Sequence, residues 1–257
     1  MASDDDLIEH PDLTWFRERP RETTILQLSK PLAPVLGSCS RLGGFPFLPE
    51  GEPWPVCEKC EVPLFFVGQF GRDLPQLPLP NGCDLLCIYK CTNYDCDDWM
   101  LFTGPPYFHL YNTAECFPIQ QPDAAWDSSG VYIPPELDEN DVIDFGEEAG
   151  FPYEIALGET LIEYPRIDEF DSYREIDGSI RDPYSKRYPR SGTKLLGHPR
   201  WLQAPRYPNC RCERVMVQLL QLDYPHVQLG DAGRMHVMYC PVWCSGVESL
   251  VAEWDCH

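Results

Sequence analysis

The chain has 257 residues, 41 acidic and 20 basic, for a formal charge of −21. A field of that sign repels nucleic acid and anionic membranes and leaves a basic protein as the natural partner. The 43% hydrophobic and 12% aromatic content excludes a disordered chain. No apolar run approaches the roughly 18–20 residues of a membrane span. Residues 1–6 are acidic with no apolar stretch behind them, so no secretory leader is expected and the cytoplasm is the expected compartment.

In chain order, residues 5–15 suit a short helix, within an N-terminal segment 1–38. A first β lobe is expected over 39–125, with short buried strands at 62–70 and 85–91 entered through Gly43-Gly44-Phe45-Pro46. Pro interrupts most 3.6-residue periods, and 136–145 is the other place where a helix fits. Residues 126–190 form an acidic connecting segment. From 136 to 177 there are fifteen acids against two Arg, interleaved with aromatics such as Tyr153, Tyr164, Phe170 and Tyr173. The plain reading is a solvated face; the functional one is a surface that recruits a basic polypeptide. The sign inverts over 180–214, with nine basic residues against two acids. A second β lobe is expected over 191–257, with strands at 214–222 and 235–240. The two lobes are expected to pack into one compact domain.

The lobes align on each other. Placing Leu42 on Leu195 without gaps superposes Gly44 on Gly197, Pro46 on Pro199, Trp54 on Tyr207 and Cys57 on Cys210. One deletion then brings Cys60 onto Cys212 and Gln69 onto Gln221. Matches that fall in order on shape-determining residues indicate an internal duplication. The fold class is therefore mostly β with few short helices, built as two pseudo-equivalent lobes.

Thirteen cysteines cannot all pair within one chain, and disulfides are rare in a reducing compartment. Isolated ones such as Cys39, Cys83, Cys116 and Cys256 read as buried thiols acting as small hydrophobes. The clustered ones do not. Cys57 and Cys60 form C-x-x-C, followed by Cys91 and Cys96; Cys210 and Cys212 form C-x-C, followed by Cys240 and Cys244. Two short loops giving two thiolates each match tetrahedral zinc, so two structural zinc ions are expected, the C-x-C site being the less regular. The six histidines stand apart from one another, and His109 reads as a packed strand residue. No nucleophile elbow, phosphate loop or H-E-x-x-H motif is present. Gln69 and Gln221 read as buried amides satisfying backbone groups between the lobes, and Asp231 as part of a tight turn. The alternative is an inter-lobe ligand site near those three.

Residues 42–70, LGGFPFLPEGEPWPVCEKCEVPLFFVGQF, together with 194–222 and 229–240, resemble the YwqG-like family of bacterial domains of unknown function. The paired cysteines more distantly resemble the programmed cell death protein 2 family. The first resemblance implies a duplicated β fold without established activity. The second implies zinc and a chaperone role for a basic ribosomal protein. The expected function is a non-enzymatic zinc-binding module whose acid binds a basic client, chaperone-like or toxin-neutralising. The alternative is an enzyme or small-molecule binder with its site between the lobes.

Overall fold

The computed structural model describes residues 7–31, 37–91, 93, 96, 107–116, 152–223 and 233–256. Among them, ten strands form one antiparallel sheet: β1 (Arg21–Ser29), β2 (Arg41–Leu42), β3 (Phe65–Gly71), β4 (Leu85–Lys90), β5 (Tyr107–Tyr111), β6 (Tyr153–Glu163), β7 (Lys194–Leu196), β8 (Val217–Asp223), β9 (Arg234–Tyr239) and β10 (Leu250–Asp255). The protein is thus mostly β. The order across the sheet is β10-β9-β8-β7-β1-β6-β2-β3-β4-β5. Read from either end, it has the same form once each strand is matched with the one five later. The two long strands β1 and β6 pair at the centre, and each crosses to the other half, β1 onto β7 and β6 onto β2. No helix among the described residues is long and apolar enough to cross a membrane.

Apolar residues on one face of this sheet make a continuous core through both halves, from Leu42, Val67 and Ile88 to Leu195, Leu220 and Val237. The β1–β6 pair joins the halves through Leu26 and Ile155, with a bulge on β6 where Gly158 and Glu159 stand opposite the single residue Ile25. Beside the sheet, α1 (Thr14–Arg17) and α2 (Gly178–Arg187) pack around Phe16 and Tyr184, whose rings lie 4.8 Å apart.

Several sequence expectations shift. The first helix is broken into a 3-10 turn at Pro11–Leu13 and one α-turn, because Pro11 carries no N–H and starts a new turn. The strand expected at 62–70 begins only at Phe65, since Pro63 cannot donate to the ladder and forms an isolated bridge with Val56. Val215 does the same with Asn209, so β8 begins at Val217. α2 was hidden by Pro183, which sits inside it; Asp177 caps its N-terminus by accepting from the Ser179 amide at 2.7 Å. Segment 126–190 supplies β6, and segment 1–38 supplies β1. The aromatics of the acidic stretch are packed rather than displayed: Tyr153 in the sheet core, Tyr164, Phe170 and Tyr173 around α2. The helix expected at 136–145 and the turn carrying Asp231 lie outside the described residues.

Candidate metal centres

Each cysteine pair sits on a narrow hairpin leading into the strand that follows. In the first half, Cys57 donates its amide to Val62 O (2.9 Å), Glu61 to Cys57 O (2.9 Å) and Leu64 to Pro55 O (2.8 Å). In the second half, Cys210 donates to Arg214 O (2.9 Å), Glu213 to Cys210 O (2.8 Å) and Met216 to Pro208 O (2.9 Å). The ladder is the same; only the turn differs. C-x-x-C closes with an i to i+4 bond and C-x-C with an i to i+3 bond, so the missing residue is absorbed inside the turn. Both hairpins leave it through a glutamate in the left-handed region, Glu61 at φ 61° and Glu213 at φ 64°. Without glycine's freedom that conformation is sparsely populated, and a held turn is what keeps it.

The partner cysteines come from the adjacent strand. Cys91 follows β4 directly and Cys240 follows β9, each with a further cysteine a few residues on. The result is two groups, Cys57/Cys60/Cys91/Cys96 and Cys210/Cys212/Cys240/Cys244, whose sulfurs lie within 4.8 Å of one another. The closest contacts are Cys57–Cys96 at 3.7 Å, Cys60–Cys91 at 3.7 Å, Cys212–Cys240 at 3.6 Å and Cys210–Cys244 at 3.2 Å. A disulfide is about 2.05 Å. A tetrahedron with 2.3 Å zinc–sulfur bonds has edges of about 3.8 Å. The spacing thus fits four thiolates around one ion, and both groups can hold a metal.

The thiols' electrostatics agree. Against the opposing effect of burial, the Tyr107 hydroxyl, 3.4 Å from Cys57 Sγ, and the Cys60 and Lys59 amides hold the Cys57 thiol down at about 7. Burial pushes Cys91 strongly up. In the second group the Ser245 hydroxyl and the Cys210 thiol bring Cys244 to about 6. Cys210 is held at about 12: the Cys212 amide lowers it, and its thiol neighbours more than offset that. Four thiols this close cannot all ionise unless a cation compensates them. The two groups differ in cover. Cys57, Cys91 and Cys96 are buried among Phe47, Phe66 and Tyr89, whereas Cys212 and Cys244 are exposed.

The remaining thiols divide. Cys87 and Cys256 are buried, Cys83 and Cys116 half-buried, and Cys39 is exposed, against the expectation of burial for Cys39. His109 lies on β5, as expected of a strand residue. Gln69 and Gln221 are fully buried. Gln69 accepts from the Phe47 amide (2.7 Å) and donates to Gly37 O and Cys39 O (3.0 and 2.8 Å); Gln221 accepts from the Arg200 amide (3.0 Å) and donates to Gly192 O (2.8 Å). Phe47 aligns with Arg200 and Cys39 with Gly192, so each amide ties the matching loop to the matching strand within its own half, rather than bridging the two lobes as expected.

Beside them lie buried charges that sequence reasoning passed over. Arg41 and Lys194 align, and both are essentially unexposed. Arg41 donates to Phe45 O, Gly37 O and Cys39 O; Lys194 donates to His198 O, which matches Phe45 O, and to both oxygens of Glu163 at 2.7 and 2.9 Å. Two cations meeting in the alignment were the available signal. Tyr107 and Glu163 offered none, being one of 13 tyrosines and one of 41 acids.

His198 is itself buried, and its Nε2 donates to Arg19 O at 2.9 Å. Burial, helped by Arg21, depresses it to about 3. The unfolded chain takes up that proton near 6.5 and the folded chain does not, so this histidine's contribution is complete above 6.5 and fades as pH falls toward 3. The thermal midpoint should therefore fall on acidification from pH 6.5 to 4.5, and more steeply than in His198→Phe. Parallel curves for the two proteins would contradict this.

The sequence profile of a family described as a domain of unknown function, DUF1963, matches residues 40–241. The chain belongs to this family. The match spans seven of the eight clustered cysteines and stops before Cys244. The YwqG-like resemblance is consistent with DUF1963. No curated protein matches the chain.

Proposed function

We propose that this DUF1963 protein is a non-enzymatic module, stapled by two structural zinc ions, whose acidic surface binds a basic protein. The observation that carries the reading is the closure of both sulfur groups. Four protein thiols occupy every tetrahedral position, whereas catalytic zinc keeps one position for water or substrate. The all-sulfur donor set favours zinc over hard cations such as magnesium or calcium. The same reading takes the halves as copies of one unit, supported by the strand order and the matching hairpin bonds. Thirteen free thiols suit a reducing compartment such as the cytoplasm.

The charge of −21 supports a basic partner. Glu22 on β1 and Glu154 and Glu159 on β6 are exposed, as are Leu157 and Ile162 on the same strand. Glu22 stands opposite Ile162 in the β1–β6 register, and an acid beside an exposed apolar side chain suits an amphipathic basic segment. Capture of basic lysate proteins is expected at low salt, with loss at high salt. The Glu154→Lys, Glu159→Lys variant should lose them at low salt too. Capture of the same proteins at both salts and by the variant would overturn the charge-based reading.

A further inference from the structure

An open groove of about 730 Å³ lies on the β1 side of the second half. It is assembled from distant parts of the chain. Trp15 comes from α1, Arg19, Pro20 and Arg21 from the entry to β1, and Glu169 from the turn after β6. His198 follows β7, and Tyr207 and Val215 flank the second cysteine hairpin. The volume is within the usual range for small-molecule sites. Its walls are largely apolar, and Val215, 56% exposed, is the most exposed of the large hydrophobic residues among the described part of the chain.

The groove's charge follows from how its acids are spent. Arg21 stands opposite Glu163 in the β1–β6 register, where a cross-strand ion pair would be expected. Glu163 is instead consumed by Lys194 Nζ, the His198 amide (2.5 Å) and the Arg190 amide (3.0 Å). Arg21 keeps one long bond, to Gly197 O at 3.4 Å, and among the described residues forms no ion pair. Glu169 accepts from the Tyr207 hydroxyl (3.0 Å) and the Arg166 amide (3.1 Å); burial pushes its carboxyl up, while those two donors and the nearby Arg21 charge oppose the shift. Arg19 lies 4.2 Å over the Trp15 ring, bonded to Trp15 O at 2.6 Å, with Glu18 no closer than 3.9 Å. His198 is held neutral. Two guanidiniums, one of them over an indole, thus line a largely apolar groove with a single carboxylate, Glu169, in a protein whose overall charge is strongly negative.

The first half differs at two of the lining positions. At the positions matching His198 and Tyr207 it has Phe45 and Trp54, rings 6.0 Å apart, with Phe45 buried and Trp54 bonded to Leu64 O at 2.8 Å. There, two aromatic rings stand where the second half has His198 and Tyr207.

We propose that the groove binds a small organic anion, with a carboxylate or phosphate head on Arg19 and Arg21 and a planar apolar body between Trp15, Tyr207 and Val215. Guanidinium pairs take such heads in the plane of the fork, and a stacked guanidinium loses little freedom in doing so. The inference rests on the groove and is independent of which metal the cysteines hold.

Calorimetric titration of the full chain with 1-naphthoate, 1-naphthyl phosphate and neutral 1-naphthamide tests it. At least one anion should bind one-to-one, tenfold or more tighter than the amide, and the better anion tells carboxylate from phosphate. Arg21→Gln should cost the anion at least tenfold while leaving the amide and the thermal midpoint unchanged. Arg19→Gln gives a second reading of the same charge, and Val215→Asp should weaken all three. Absence of saturable binding, equal binding of amide and anions, or anion affinity unmoved in both arginine variants would overturn the proposal.

Discussion

Cys57→Ala is expected to release one of two metal ions per chain and to unfold the first half of the sheet. Cys57 is fully buried, and its hairpin carries the chain into β3. Structural zinc in small peptides contributes about 10–16 kcal/mol near neutral pH, against about 5–15 kcal/mol for the net stability of a whole domain. A loss of that order leaves no stable first half, so the variant should aggregate or melt tens of degrees lower. Cys244→Ala is the contrasting case. Its thiol is exposed, so three ligands and a water can hold the ion, and the fall in midpoint should be smaller. For the same reason a chelator should strip the second group first. Metal content with thermal melting decides this; a Cys57→Ala protein with two ions and an unchanged midpoint would contradict it.

Glu163→Ala is expected to cost about 3–5 kcal/mol, because it strands a buried cation. Lys194 and Glu163 both have zero side-chain exposure, and the same carboxylate also receives the His198 and Arg190 amides. Burial depresses Lys194 to about 8, with Glu163 opposing the shift. Below 8 the amine is charged in both states. Between there and its unfolded value of 10.5 only the unfolded chain holds the proton, so this group makes stability rise with pH. Removing Glu163 lowers the folded value further and starts that rise earlier. From pH 7 to 9.5 the variant should therefore recover more stability than wild type; denaturant melts that stay parallel would contradict the assignment. Gly197 guards the same carboxylate. At φ +75°, its added Cβ would fall 2.0 Å from Glu163 Oε1, so Gly197→Ala should be about as damaging as losing the glutamate.

The cysteine groups were legible because metal chemistry imposes spacing on sequence, and the two hairpins repeat it. The shortened C-x-C looked less regular in sequence, yet it fits because a turn can lose a residue while the flanking ladder stays in register. β3, β4, β8 and β9 were legible as apolar runs, to within a few residues set by Pro63 and Val215. β6 was not. As YEIALGETLIE it lies in an acidic stretch and is buried at only three positions, Tyr153, Ile155 and Glu163. A central strand with much of its length facing water carries the composition of a linker. β1 resisted for the same reason, with Glu22, Gln27 and Ser29 exposed. The groove was illegible in principle, since Trp15, Glu169 and Tyr207 meet only through the β1–β6 crossing.

The central claim is that both sulfur groups hold zinc as structural ions. Native mass spectrometry of the chain purified without added metal, beside elemental analysis, tests it most directly. Two zinc ions per folded chain are predicted, falling to one in either Cys57→Ala or Cys244→Ser, Cys212→Ser. A folded chain carrying no zinc, or one whose cysteines are joined as disulfides within either group, would contradict it.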